Sequence, residues 1–112
     1  MIECILDPGR LAVQMRGHAN TAPRGQDIVC AAASILIQTY AVTLAKFDER
    51  HTRYQFADGD GSVRFSGTPG PATINYATTC YRMLRDGLEM IREEYPDNIQ
   101  ITIQSLDREG DP

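Results

Sequence analysis

Paired cysteines are missing from this chain. Its three, Cys4, Cys30 and Cys80, are odd in number, widely spaced and form no C-x-x-C. That excludes a disulfide framework and fits unpaired thiols in a reducing compartment. A zinc site drawn from Cys4, His18, Cys30 and Cys80 would need ligands from four separate places with no paired spacing, so neither a metal nor another cofactor is expected. A basic excess is missing as well: eleven Lys and Arg against fifteen Asp and Glu give a net charge of −4. This argues against a nucleic-acid binder, whose affinity rests on a basic face, and suits a basic protein partner. No uninterrupted apolar run approaches the ~18 residues of a membrane span, and no basic stretch followed by an apolar one opens the chain. A cytoplasmic protein is expected.

What is present is a pattern of alternating runs and two amphipathic stretches. With 112 residues, a single domain over 1–112 is expected, large enough to bury roughly 65% of its unfolded surface. Ile2, Cys4 and Leu6 alternate before Asp7-Pro8-Gly9-Arg10, which has Pro and Gly in the central positions of a type II turn, and Leu11, Val13 and Met15 alternate after it. A helix follows from about Ile28 to Phe47. Residues 52–57 and 62–66 make a second hairpin around Asp58-Gly59-Asp60-Gly61. The second helix begins near Pro71, carries Ile74, Ala77, Tyr81, Leu84, Leu88 and Ile91 on one stripe, and stops at Tyr95-Pro96. Ile99, Ile101 and Ile103 then alternate with polar residues in a last strand. The order ββαββαβ is best satisfied as an α+β two-layer sandwich, two helices on one face of a mostly antiparallel five-stranded sheet.

Two residues carry reactive chemistry around one glycine-bounded loop. His18 follows the second strand, and Cys30 opens the first helix, where Asp27 as N-cap would make it the third helical residue and expose it to unpaired N–H groups that favour a thiolate. On the helical wheel Ile28, Ala32, Ile35, Leu36, Thr39 and Val42 form one stripe with Cys30 pointing away, so packing against the sheet is not its expected task. Backbone N–H groups near Val29 to Ala31 are candidate oxyanion donors. His51 lies in a charged connection and is expected to face solvent, while Cys4 and Cys80 read as packing residues. Glu89, Glu93, Glu94 and Asp97 form an acidic group that an ordinary solvated face accounts for.

The run Gly17-His18-Ala19, then Pro23-Arg24-Gly25-Gln26-Asp27-Ile28-Val29-Cys30-Ala31 and Ser34, closely resembles the ribosomal-processing cysteine protease (Prp) family of bacteria, whose pattern is G-H-A, a short loop, then G-x-D-I/V-V-C-A-x-x-S. The resemblance extends to chain length, element order and Gln38-Thr39. It implies a cysteine endopeptidase that removes the N-terminal extension of a large-subunit ribosomal protein, cutting after an aromatic residue, with His18 and Cys30 as the catalytic dyad. By the same resemblance Asp27 and Ser34 support the site, Gly17 and Gly25 flank a loop that closes over substrate, and the protein is a homodimer. The stretch Ala19-Asn20-Thr21-Ala22 departs from the family in lacking the usual Gly and aromatic residue, a difference that touches specificity. Because some relatives occur in phages, a phage protein is an alternative substrate. Two other readings stand beside proteolysis: a non-catalytic ribosome- or translation-associated binding module, and a redox-sensing thiol at Cys30 that would not need His18.

Overall fold

The computed structural model describes residues 1–17, 24–57 and 59–106, with the backbone alone for 24–27. Five strands and two helices alternate as β1 (Ile2–Asp7), β2 (Ala12–Arg16), α1 (Arg24–Phe47), β3 (Thr52–Ala57), β4 (Asp60–Phe65), α2 (Pro71–Glu94) and β5 (Ile99–Ile103). The sheet runs β3-β4-β2-β1-β5, antiparallel except for β1 and β5, which pair in parallel from Ile2 with Ile99 to Leu6 with Ile103. This is the expected mostly antiparallel α+β sheet with two helices.

The first turn is not type II. Among the described glycines only Gly17, Gly59 and Gly67 have positive φ, and Leu11 takes the left-handed conformation (φ 56°) that Gly9 was expected to supply. Asp7 explains the change: its buried carboxylate accepts from Gly9 N (3.0 Å) and Arg10 N (3.2 Å), and also from Leu106 N (2.8 Å), tying the turn to the chain beyond β5. Leu11 is held by burial and by its carbonyl, which accepts from the Tyr40 hydroxyl at 2.6 Å. In the second hairpin Ala57 already pairs with Asp60, so β4 starts two residues before Ser62 and Gly59 takes φ 76° in the tight turn.

The helix rotation differs more consequentially. The buried residues of α1 are Val29, Ala33, Ile37, Tyr40, Ala41 and Leu44, whereas Ile28, Ile35 and Val42, placed on the core side by the wheel, are exposed, Ile35 by 60%. Both faces carry β-branched residues, but the face with Ala33 and Ala41 lets the backbone approach the sheet closely. Leu36 then fills the crossing with α2, where it lies against Gly87 so closely that a Cβ there would meet its Cδ1 at 2.9 Å. The segment Ile28–Phe47 is long and apolar enough to cross a membrane by length and composition, with hydropathy 1.9, although Ser34, Gln38, Thr39 and Thr43 interrupt it. One of its faces is fixed in the core instead.

In α2 the expected stripe holds at Ala77, Tyr81, Leu84 and Leu88, with Thr73 buried in place of Ile74. Pro71 is its first residue, as its missing N–H favours. The rotation of α1 has a direct check. Ile37→Ala should lower unfolding free energy by about 2–5 kcal/mol through the cavity it leaves, and Thr39→Ala, exposed on the stripe the wheel placed in the core, by less than about 1 kcal/mol, both read from urea midpoints.

Candidate active site

Placement of Cys30 follows from the rotation of α1. It sits on the flank of the buried stripe, half-buried and packed against the core cluster, rather than opposite it. Ser34 and Gln38 follow it at four-residue intervals, one turn and two turns on, and the Gln38 amide donates to Ser34 Oγ at 2.7 Å. These three face the tip of the β3–β4 hairpin across a cleft of about 60 Å³ that is also lined by Met15, Phe56, Ala57, Gly59, Asp60 and Gly61. Gly61 is required there: a Cβ would fall 2.7 Å from the Phe56 ring, so the absent side chain is what lets the ring lie over the strand.

Two expectations about the helix start are overturned. Asp27 lies within α1, fourth from its beginning at Arg24, and is not its N-cap; Cys30 is the seventh helical residue rather than the third. A helix that begins earlier directs the N–H groups of Val29, Cys30 and Ala31 to carbonyls four residues back, so they are spent on the helix and are not oxyanion donors. Gly25 is the second residue of α1. His18 lies outside the described residues, as does the side chain of Asp27.

Gly17, immediately before His18, is described and constrained. It has φ 131°, and a Cβ would meet the Met1 carbonyl oxygen at 2.7 Å and Ile2 Cα at 3.1 Å. The chain therefore leaves β2 through a conformation and a backbone contact that only glycine accepts.

The remaining thiols differ from Cys30 in setting. Cys4 is fully buried, and that burial, with Glu3 beside it, pushes its thiol up to about 12, which makes it inert at neutral pH. Burial also raises Cys80, on α2.

His51 is not a solvent-facing residue. Its Nδ1 lies 2.9 Å from Asp48 Oδ2, its backbone N–H donates to Asp48 Oδ1 at 3.1 Å, and the hydroxyl of buried Thr73 donates to Asp48 Oδ2 at 2.8 Å. The Asp48-x-x-His51 spacing after a helix end was the available signal. This cluster lies about five helical turns from Cys30, roughly 27 Å at ~1.5 Å per residue, so it clasps the end of α1 to the start of α2 and takes no part in the cleft.

The family model for the cysteine protease Prp matches residues 1–100. The chain belongs to the Prp family of cysteine proteases. It is 29% identical over 101 residues to the ribosomal processing cysteine protease Prp of Bacillus subtilis (strain 168), covering 86% of this chain and 88% of that one. Crystal structures of the Prp of S. aureus superpose well: one in complex with a substrate peptide at TM-score 0.76 and 24% identity, and one with a covalently linked product peptide at 0.71 and 25%, each covering 93% of this chain and all of that one. SMU.848 from Streptococcus mutans shares the fold at TM-score 0.73 and 22% identity, over 95% of this chain and 96% of that one. Cys30 and the G-Q-D-I-V-C-A motif that contains it lie within the matched residues.

The Asp48 clasp has a pH signature. Although burial opposes ionisation, hydrogen bonds from Thr73 and His51 hold the Asp48 carboxyl below its ordinary value. A depressed folded value means that its stabilisation is present above the unfolded carboxylate value of ~3.9 and is lost as pH falls through the folded one. The urea midpoint of wild type should exceed that of Asp48→Asn at pH 7, with the gap closing below about pH 4.

Proposed function

We propose that this protein hydrolyses a peptide bond in the N-terminal extension of a large-subunit ribosomal protein, or of a related phage protein, with Cys30 as nucleophile and His18 as its proton carrier. The observation that carries this reading is the match of the Prp model over residues 1–100, motif included. Reach is compatible with the pairing: Met15 borders the cleft that holds Cys30, and His18 follows it by three residues, a span of at most roughly 11 Å. The acidic net charge of −4 favours a basic substrate such as a ribosomal protein.

The reaction runs in two halves. His18 removes the proton of the Cys30 thiol, and the thiolate adds to the scissile carbonyl carbon. As the C–N bond breaks, the imidazolium returns that proton to the departing amine, leaving an acyl group on Cys30 as a thioester. A water molecule, deprotonated by His18, then adds to the thioester; its collapse frees the new carboxyl terminus and regenerates the thiol. Ser34, beside Cys30 and oriented by Gln38, and Asp27 act in support, and Gly17 and Gly25 bound the loop that closes over substrate.

A homodimer is part of the proposal. Both helices leave apolar residues uncovered at seven-residue intervals, Ile28, Ile35 and Val42 on α1 and Tyr76, Met83 and Met90 on α2, with Met83 73% exposed. Burial of such stripes against a second copy removes apolar surface from water.

Mass spectrometry of the candidate ribosomal protein after incubation tests the reaction. Wild type should shorten it, while Cys30→Ala and His18→Ala should each lose at least about a thousandfold in rate with unchanged thermal midpoints. Binding without shortening by wild type would favour the docking module, and full activity in His18→Ala would reject the dyad. Light scattering tests the assembly: wild type should run at twice the mass of Met83→Glu, and a monomeric wild type would reject it.

A further inference from the structure

The cleft at Cys30 does not end at the helix layer. Strands β2 and β4 pair from Val13 with Val63 to Met15 with Gly61, and their ladder ends there, with Arg16 the last residue of β2 and Asp60 the first of β4 on its two lips. Met15, Ala57, Asp60 and Gly61 line both the cleft at Cys30 and a second groove of about 280 Å³ bordered by Gln14, Arg16, Gln55 and Ser62. The two hollows thus share these four residues and flank the same hairpin tip. Gln14 and Gln55 both register with Ser62, so these three form one cross-strand row. Met15, the neighbour of Gln14, is in the core beneath the helices, and alternation puts the row on the opposite face of the sheet.

Chemistry along this path suits an extended polypeptide. Gln14, Gln55 and Ser62 offer amide and hydroxyl groups that both donate and accept, as a peptide backbone does. Asp60 stands at the junction, exposed, and its carboxylate has no hydrogen bond or ion pair among the described residues. A carboxylate there is available to a cationic side chain, and Arg16 on the facing lip carries the opposite charge, so the seam distinguishes position as well as sign.

We infer that the substrate chain runs from Cys30 past the end of the β2–β4 ladder onto the outer face of the sheet, and that Asp60 selects a basic residue close to the scissile bond. This rests on the proteolytic reading above and names what the same site recognises. The hairpin tip is thereby a specificity element, with Asp60 touching substrate and Gly61 keeping Phe56 folded over the strand beside it.

The test is a set of fluorogenic peptides based on the cleaved segment and identical except for Lys or Glu at one position, moved through four positions on each side of the bond. At one position wild type should prefer Lys by about tenfold in kcat/KM at low salt, with Asp60→Asn removing the preference and Asp60→Lys reversing it. Asp60 is exposed at a hairpin tip, so thermal midpoints should hold. A Lys-to-Glu ratio that Asp60→Lys leaves unchanged at every position would overturn the assignment. Fluorescence anisotropy of the same peptides on Cys30→Ala reads the path without turnover: tighter Lys peptides, reversed by adding Asp60→Lys, support it, and equal binding rejects it. Should wild type cleave none of the peptides while that binding preference persists, proteolysis falls and the path stands.

Discussion

Docking of Val29, Ala33, Ile37, Tyr40, Ala41 and Leu44 against the sheet sets the rotation of α1, and almost every other feature of the site is a consequence of that rotation. A helix has one free rotational parameter once its axis is laid down. Burying this stripe turns Cys30, Ser34 and Gln38 to the hairpin side, where β3 and β4 supply the opposite wall. The same rotation sends Ile28, Ile35 and Val42 outward. The cleft-lining Cys30 and the exposed apolar ridge are thus two results of one packing choice.

The two ends of α1 are held by different means. Near Phe47 the constraint is polar and specific: Asp48 gathers Thr73 and His51, while the Phe47 ring stacks on Tyr76 at 4.2 Å. Toward Cys30 it is largely apolar packing of Val29 and Ala33, beside a chain exit from β2 whose geometry Gly17 alone permits. A firmly anchored far end lets the near end carry a cleft without loss of register between helix and sheet.

Much of this architecture was legible in the residues. Period-two runs marked β1, β2 and β5, Pro71 marked the start of α2, and Asp58-Gly59 marked a tight hairpin. The motif around His18 and Cys30 carried the family. The rotation of α1 was not legible because isoleucine and valine occur on both sides of it: Ile28, Ile35 and Val42 compete with Val29, Ile37 and Leu44, and hydrophobicity alone undervalues Ala33 and Ala41, whose small size brings the backbones together. Asp27 imitated a cap, hiding a helix that starts at Arg24. Leu11 in a left-handed conformation depends on contacts from Tyr40, twenty-nine residues away in sequence, and no local rule anticipates it. Phe56, Asp60 and Gly61 drew no notice as cleft residues, since only the pairing of β2 with β4 brings them beside the thiol.

Asp60, unlike its buried neighbour Gly61, is exposed at the rim of the hairpin, away from the stripe of α1 that buries Ile37 and Leu44. Mutational drift at such a rim leaves the stability of the domain largely untouched, whereas drift on the buried face of α1 is penalised at once. Substitution at that exposed position is thereby uncoupled from the packing of α1, so a lineage can vary the hairpin tip without disturbing its core.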